Sequence, residues 1–248
     1  MKKIESDFSG DVDVIEKLAL AHLALKKEDD ALTYLEKALK LNTTNKEILF
    51  QLGNARFRKE DFAGAIDAYD RAIKAGANDE IIYNNRGKAK LNAGQVTESI
   101  ADFDRALTIK SDYVQALRNR GKARHELKDY AAAIKDLAIL VSRNEAGAEE
   151  LYLLGHSRYE TKDYKAAITD LTKAIDGGVK EPRAYAFRGY SHAELKAYDK
   201  AVPDLSKAID GGVTDAELYF KRGECKYLLD DLANALPDLD KAITNGVT

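Results

Sequence analysis

Cysteine is almost absent from this chain. A single residue, Cys225, cannot form an internal disulfide, and this excludes a disulfide-stapled fold. Long apolar runs are missing too: nothing approaches the ~20 consecutive apolar residues that a membrane span requires. The opening Met1-Lys2-Lys3-Ile4-Glu5-Ser6-Asp7 carries two lysines with no apolar stretch behind them, so no secretory signal is visible. Positive charge is not in excess. The formal net charge of −3 argues against a general nucleic-acid binder, whose domain is normally basic. There is no glycine-rich phosphate loop, no nucleophile elbow and no Cys/His spacing of a metal site. These absences predict a soluble, cytoplasmic protein with no catalytic residues, no metal and no cofactor, which neither binds nucleic acid nor inserts into a membrane.

What the sequence has is a period. Gly53, Gly87, Gly121, Gly155, Gly189 and Gly223 stand 34 residues apart, and Ala65, Ser99, Ala133, Ala167, Ala201 and Ala235 follow them at the same interval. One period earlier, Ala19 and Ala31 complete seven repeats. A strict period of this length signals a stacked array in which each repeat covers its neighbour's apolar face. The repeats start at residues 12, 46, 80, 114, 148, 182 and 216, which makes 12–248 one array behind a short lead, 1–11.

Each repeat holds two stretches with apolar spacing of three and four, the mark of amphipathic helices. In the third repeat they are Ile81–Ala93 and Val96–Ile109, joined by Gly94-Gln95. Asp61, Asp129, Asp163 and Asp231 are placed to cap the second helices. Gly76, Gly177-Gly178, Gly211-Gly212 and Gly246 suit left-handed helix ends, and Pro182 suits a first helical position.

The glycine and alanine ladders predict close approach of paired helices. A further small site at Ala38, Ala72, Ala106, Ala174, Ala208 and Ala242 predicts contact with the next repeat. Leu140 breaks that site in the fourth repeat, where the fifth carries Leu154 instead of arginine; the two leucines are expected to touch. Pro203 and Pro237 fall inside second helices, where each removes a hydrogen bond and favours a bend.

Asn84-Asn85-Arg86-Gly87-Lys88-Ala89, followed by Ser99-Ile100-Ala101-Asp102-Phe103-Asp104-Arg105-Ala106-Leu107, resembles the tetratricopeptide repeat, and seven copies in register extend the resemblance over nearly the whole chain. It implies an all-α solenoid of seven helix-turn-helix repeats wound into a right-handed superhelix. First helices would line its concave face, and partner recognition would be the usual role. The sequence departs from the family in lacking the common proline between repeats. It also places a basic residue, three positions after the glycine, where an aromatic is frequent.

Arg86, Arg120, Arg188 and Arg222 precede the glycines, and Asp102, Asp136, Asp170, Asp204 and Asp238 recur on the second helices. Both sets are missing from the first two repeats, which predicts arginine–aspartate pairing between helices. His22 and His192 occupy a site otherwise held by Arg56, Lys90, Arg124, Arg158 and Lys226 and read as members of that basic stripe. Cys225 stands where four other repeats have alanine, so it reads as a small buried thiol. His125 and His156 should face the groove from adjacent repeats as lining residues rather than metal ligands.

If the first helices line a groove, Asn54, Asn84, Asn85, Lys88, Arg118, Asn119 and Lys122 form an amide-rich stretch able to bind peptide backbone. Tyr152, His156, Tyr159, Phe187, Tyr190, Phe220 and Tyr227 form an aromatic stretch beside an acidic line of Glu126, Glu160 and Glu194. About half of those aromatics, Tyr159 and Tyr227 foremost, are expected to fill gaps between helices instead. Tetratricopeptide proteins that clamp a terminal carboxylate use two asparagines, matched here by Asn54 and Asn85. They also need basic residues where this chain has Phe50, Gln115 and Asn119, so a carboxylate clamp is not expected.

The leading reading is a non-enzymatic scaffold that holds a peptide or helix of a protein partner. The alternatives are a module that self-associates through an uncapped C-terminal repeat and a regulatory segment of a larger protein.

Overall fold

The computed structural model describes residues 11–42 and 44–246. Almost all of the lead, and the final Val247-Thr248, lie outside them. Among the described residues there are fourteen helices and no strand. They are α1 (Val12–Ala24), α2 (Glu28–Leu41), α3 (Lys46–Arg58), α4 (Phe62–Lys74), α5 (Glu80–Asn92), α6 (Val96–Ile109) and α7 (Val114–Glu126), then α8 (Tyr130–Ser142), α9 (Ala148–Glu160), α10 (Tyr164–Asp176), α11 (Arg183–Glu194), α12 (Tyr198–Asp210), α13 (Ala216–Leu228) and α14 (Leu232–Thr244). The result is an all-α solenoid of helix-turn-helix repeats. It forms two compact halves, one up to residue 123 and one from residue 124.

In the first half α1 packs on α2, α3 on α4 and α5 on α6, and α2 also packs on α3 and α4 on α5. The second half repeats the scheme with α9 on α10, α11 on α12 and α13 on α14. First helices of successive repeats touch as well, α3 with α5, α9 with α11 and α11 with α13. Their faces turned away from the second helices therefore form a continuous strip within each half.

The small residues set this spacing. A Cβ added at Gly53 would sit 2.5 Å from the Tyr69 ring, and one at Gly155 would sit 2.6 Å from Cγ of Leu171. Ala65, Ala133, Ala167 and Ala201 have no exposed surface, nor do Ala38, Ala72, Ala106, Ala174 and Ala208. Leu140 and Leu154 are likewise fully buried, on α8 and α9, which pack together. Pro203 and Pro237 lie inside α12 and α14 with their rings exposed. The residues whose carbonyls they leave without a partner, Asp199 and Ala233, are exposed too, and water can satisfy them.

Turns inside the repeats follow one design. The residue after the first helix's cap is left-handed at Lys26, Glu60, Gly94, Lys128, Lys162, Lys196 and Asp230, with φ of +55° to +78°. The next amide donates back five residues, as Asp163 N does to Arg158 O at 2.8 Å. That same residue begins the second helix, and Asp61, Asp129 and Asp163 accept from the amides of Gly64, Ala132 and Ala166. Asp231 differs from expectation. It stands at the cap position, but its carboxylate accepts from the Asn234 side chain instead of the helix backbone. Pro182 also sits one place earlier than expected, as the cap of α11 with φ −61°. The first helix of the third repeat starts one residue early because Asp79 accepts from Ile81 N and Ile82 N, both at 2.9 Å.

Turns between repeats use the same device with glycine, at Gly76 (φ +96°), Gly178 (+81°), Gly212 (+94°) and Gly246 (+106°). Val179 N and Val213 N close these ends onto Ala174 O and Ala208 O at 3.0 and 3.1 Å.

A left-handed conformation costs a residue with a Cβ roughly 1–2 kcal/mol. Lys162→Gly is therefore expected to raise the unfolding free energy by about 1 kcal/mol, and Gly94→Lys to lower it by as much, both read from urea denaturation.

Candidate binding surface on the first helices

Buried ion pairs orient the helices that carry this surface. Arg86 Nε donates to Asp102 Oδ2 at 3.0 Å, with a second bond from Nη2 to Oδ1, and its Nη1 reaches Asp70 on α4 at 2.7 Å. Arg188 grips Asp204 through two bonds of 2.7 Å, and Arg222 grips Asp238 at 2.8 and 2.5 Å. The basic stripe four residues on serves the same acids: Lys90 pairs with Asp102, Arg124 with Asp136, Arg158 with Asp170 and Lys226 with Asp238. Sequence reasoning found the pairs of Arg86, Arg188 and Arg222 and missed the role of the second set, while Arg120 pairs with Asp104 at 2.6 Å. His22 lies 3.4 Å from Asp30 and stacks on Tyr34, whereas burial lowers the pKa of His192.

With leucine at 154 in place of arginine, Arg158 is the one ion-pair partner of Asp170 among the described residues, and burial pushes that carboxyl above its ordinary value. Burial also acts on Asp238, but hydrogen bonds from Arg222 and Lys226 outweigh it and hold the carboxyl below its ordinary value. With carboxylates at every turn of this ladder, the arginines are committed to structure. Cys225 is fully buried, and burial pushes its thiol up to about 11, so it is an inert core residue at neutral pH.

In the first half, the strip carries a directed chain of amides. Asn119 Nδ2 donates to Asn84 Oδ1 at 2.9 Å, Asn84 Nδ2 to Asn85 Oδ1 at 3.2 Å, and Asn85 Nδ2 to Asn54 Oδ1 at 3.1 Å. Tyr69 donates to the same Asn54 oxygen at 2.8 Å. The chain ends at a recess of about 270 Å³ lined by Asn54, Phe57, Arg58, Tyr69, Asn85 and Lys88. Lys88 Nζ lies 5.0 Å above the Phe57 ring. Asn84 is only 5% exposed, so it positions its neighbours and does not itself face a ligand. Asn54, Asn85, Arg118 and Asn119 are half-buried, and Lys88 and Lys122 are exposed. Phe57 and Arg58 were not singled out from the sequence. They occupy the two positions of the second repeat that correspond to Tyr159 and Glu160 of the fifth, and that correspondence was the available signal.

In the second half, the strip is aromatic. His156 stacks on Phe187 with ring centres 3.8 Å apart, and Tyr152, Tyr159 and Tyr190 surround Phe187 at 5.4–6.4 Å. Tyr190 is buried, at 7% exposure, and fills a gap between helices. Tyr152, His156, Tyr159 and Phe187 are half-buried, and Phe220 is 39% exposed. Tyr227, read from sequence as gap-filling, is instead 61% exposed, because it projects from the last first helix.

His125 Nε2 and His156 Nδ1 are 2.9 Å apart, and His156 Nε2 is 3.3 Å from Glu160. No group of three or more metal-ligating side chains occurs among the described residues. Burial lowers both imidazole pKa values to about 4, with His156 adding to the shift at His125 and Arg183 adding to it at His156. Because the folded state resists protonation, the stability it gains is complete above the ordinary value of 6.5 and is lost as pH falls toward 4. His125→Gln with His156→Gln should flatten stability against pH across that window, as measured by urea denaturation at each pH.

The model of the tetratricopeptide repeat family matches residues 16–80, 84–148 and 152–215. The chain belongs to the tetratricopeptide repeat family. No curated protein is a significant sequence match to this tetratricopeptide repeat chain. Among solved structures it is similar to YrrB, described as a TPR protein with an unusual peptide-binding site (20% identity over 71% of this chain and 91% of that one, TM-score 0.64). A tetratricopeptide repeat protein from Parabacteroides merdae matches over 96% and 94% of the two chains at 19% identity, with a TM-score of 0.63. MamA from Desulfovibrio magneticus RS-1 matches over 66% and 93% at 19% identity, with a TM-score of 0.61. At these identities the likeness is one of fold. No helix among the described residues is long and apolar enough to cross a membrane.

Proposed function

We propose that this tetratricopeptide repeat protein is a non-enzymatic scaffold that holds a peptide or helix of a partner protein on its first-helix strips. The observation that carries the reading is the recess at the end of the amide chain. Its amide carbonyls already accept from neighbours, so it offers a partner N–H donors and two cations over an aromatic floor. YrrB, with its peptide-binding site, lends support by likeness of fold. The contact residues are Asn54, Asn85, Lys88, Arg118, Asn119 and Lys122 in the first half and Tyr152, His156, Phe187 and Phe220 in the second, with Asn84 and Tyr190 holding them in place.

Selection of a displayed peptide library on the wild-type protein tests this. Selected peptides should bind, and should lose at least about tenfold in affinity to an Asn85→Ala, Lys88→Ala variant of unchanged unfolding midpoint. Peptides that bind both proteins equally would place recognition elsewhere.

Self-association is a second reading, favoured by one observation. Helix α14 exposes Leu232 (49%), Leu236 (62%) and Ile243 (68%) along one side. Sedimentation should then show mass rising with concentration, and Leu236→Lys should abolish the rise; a constant monomer mass would end this reading.

A further inference from the structure

The strip of the second half has a chemistry of its own. Its rings run without a break from Tyr130 and His125 through His156, Tyr152 and Phe187 to Tyr159 and Tyr190, each within 6.4 Å of the next. Carboxylates border this surface, and the cations beside it are already committed. Arg183 pairs with Asp215 at 2.7 Å, and Lys221 is shared between Glu194 at 3.5 Å and Glu224 at 2.9 Å. Glu160 faces His156, which is neutral at physiological pH, and Glu217 is exposed with no cation paired to it among the described residues.

Burial, then Glu217, Glu160 and Glu194 in turn, push the Tyr159 phenol up to about 12, so all three carboxylates act on one ring. A flat aromatic surface with a negative face and negative neighbours attracts a cation that can stack on it. The guanidinium of arginine does this well, and the lysine ammonium does so as a point charge. Acidic peptide would meet repulsion here, and a purely apolar peptide would leave the carboxylates without partners.

We infer that the first-helix strip of residues 124–246 seats cationic side chains, arginine or lysine, of the bound segment, stacking them on Tyr159, Phe187 and Phe220 against Glu160, Glu194 and Glu217. This rests on the proposed peptide-binding role and names the chemistry of its ligand in this half.

Short fluorescein-labelled peptides in which leucine alternates with arginine, lysine, glutamine or glutamate test the assignment by fluorescence anisotropy. The arginine and lysine peptides bind; the glutamine and glutamate peptides bind at least about tenfold more weakly. Glu160→Gln, Glu194→Gln, Glu217→Gln together remove about tenfold or more of the arginine-peptide affinity. Loss of the same charge at Glu60, Glu98 and Asp240, which lie in a turn or on second helices, leaves it unchanged. Phe220→Leu, at a site 39% exposed, weakens the arginine peptide more than the glutamine peptide.

Equal binding of all four peptides, or equal loss in the two triple variants, overturns the assignment. So does the case in which none of the four binds while library-selected peptides still do, and that outcome leaves the scaffold reading intact. Failure of every peptide, selected ones included, removes both.

Discussion

Replacing Arg188 by leucine is expected to lower the unfolding free energy by about 3–5 kcal/mol, the range for removing one partner of a buried ion pair. Asp204 is 6% exposed and receives both of its described hydrogen bonds from Arg188. Where other repeats keep a second cation for this acid, this repeat has His192, whose pKa burial lowers. The seventh repeat is the internal control. Asp238 loses Arg222 but keeps Lys226 at 2.7 Å, so Arg222→Leu should cost distinctly less.

Adding Asp204→Leu to Arg188→Leu should recover most of the loss, since a matched apolar pair can replace a buried ion pair at little cost. Urea denaturation of the four variants decides the matter. Equal costs for Arg188→Leu and Arg222→Leu would show that the second cation contributes nothing.

The second large effect is steric. Gly155→Leu should cost about 3 kcal/mol through overpacking. Even a bare Cβ there would lie 2.6 Å from Leu171 Cγ and 3.1 Å from the Leu171 backbone nitrogen. Backbone cannot swing aside as a side-chain tip can, so α9 and α10 would have to separate. Gly147 tests the reasoning, because a Cβ there meets only a carboxylate oxygen of Glu150, at 3.1 Å. Gly147→Ala should change stability by less than about 0.5 kcal/mol. A comparable loss at both glycines, measured by thermal or urea unfolding, would show that close helix approach is not what Gly155 provides.

The repeat frame was legible because the residues that allow close approach, glycine and alanine, are the same residues that mark the period. The helix ends were half legible. Glycines announced the turns between repeats, but Lys162, Lys196 and Asp230 do not look like left-handed positions, and only their shared 34-residue spacing with Gly94 gives them away.

The surface was the hardest part to read. Asn54 meets Asn85, and His125 meets His156, 31 residues along the chain. That is one period less about one helical turn, because neighbouring first helices present residues of adjacent turns to each other. A reading taken repeat by repeat compares like positions and misses these pairs. The asparagines therefore read as free amides, although the structure links them to one another in a chain of three hydrogen bonds. The aromatics were found by position, but their exposure depends on what packs beside them, which separates Tyr190 from Tyr227.

The glycine-valine helix ends have a genetic consequence. Ala174-Ile175-Asp176-Gly177-Gly178-Val179 and Ala208-Ile209-Asp210-Gly211-Gly212-Val213 are the same six residues closing in the same hydrogen-bonded cap. Excising or duplicating 182–215 would join ends that already know each other's geometry, so recombination can lengthen or shorten this stretch of the array without inventing a junction. The segment around Leu140 and Leu154 has no such freedom, since Leu140 stands where the other repeats carry alanine and Leu154 where the third, fourth, sixth and seventh carry arginine. Growth by copying is thus open at one place in the gene and closed at another.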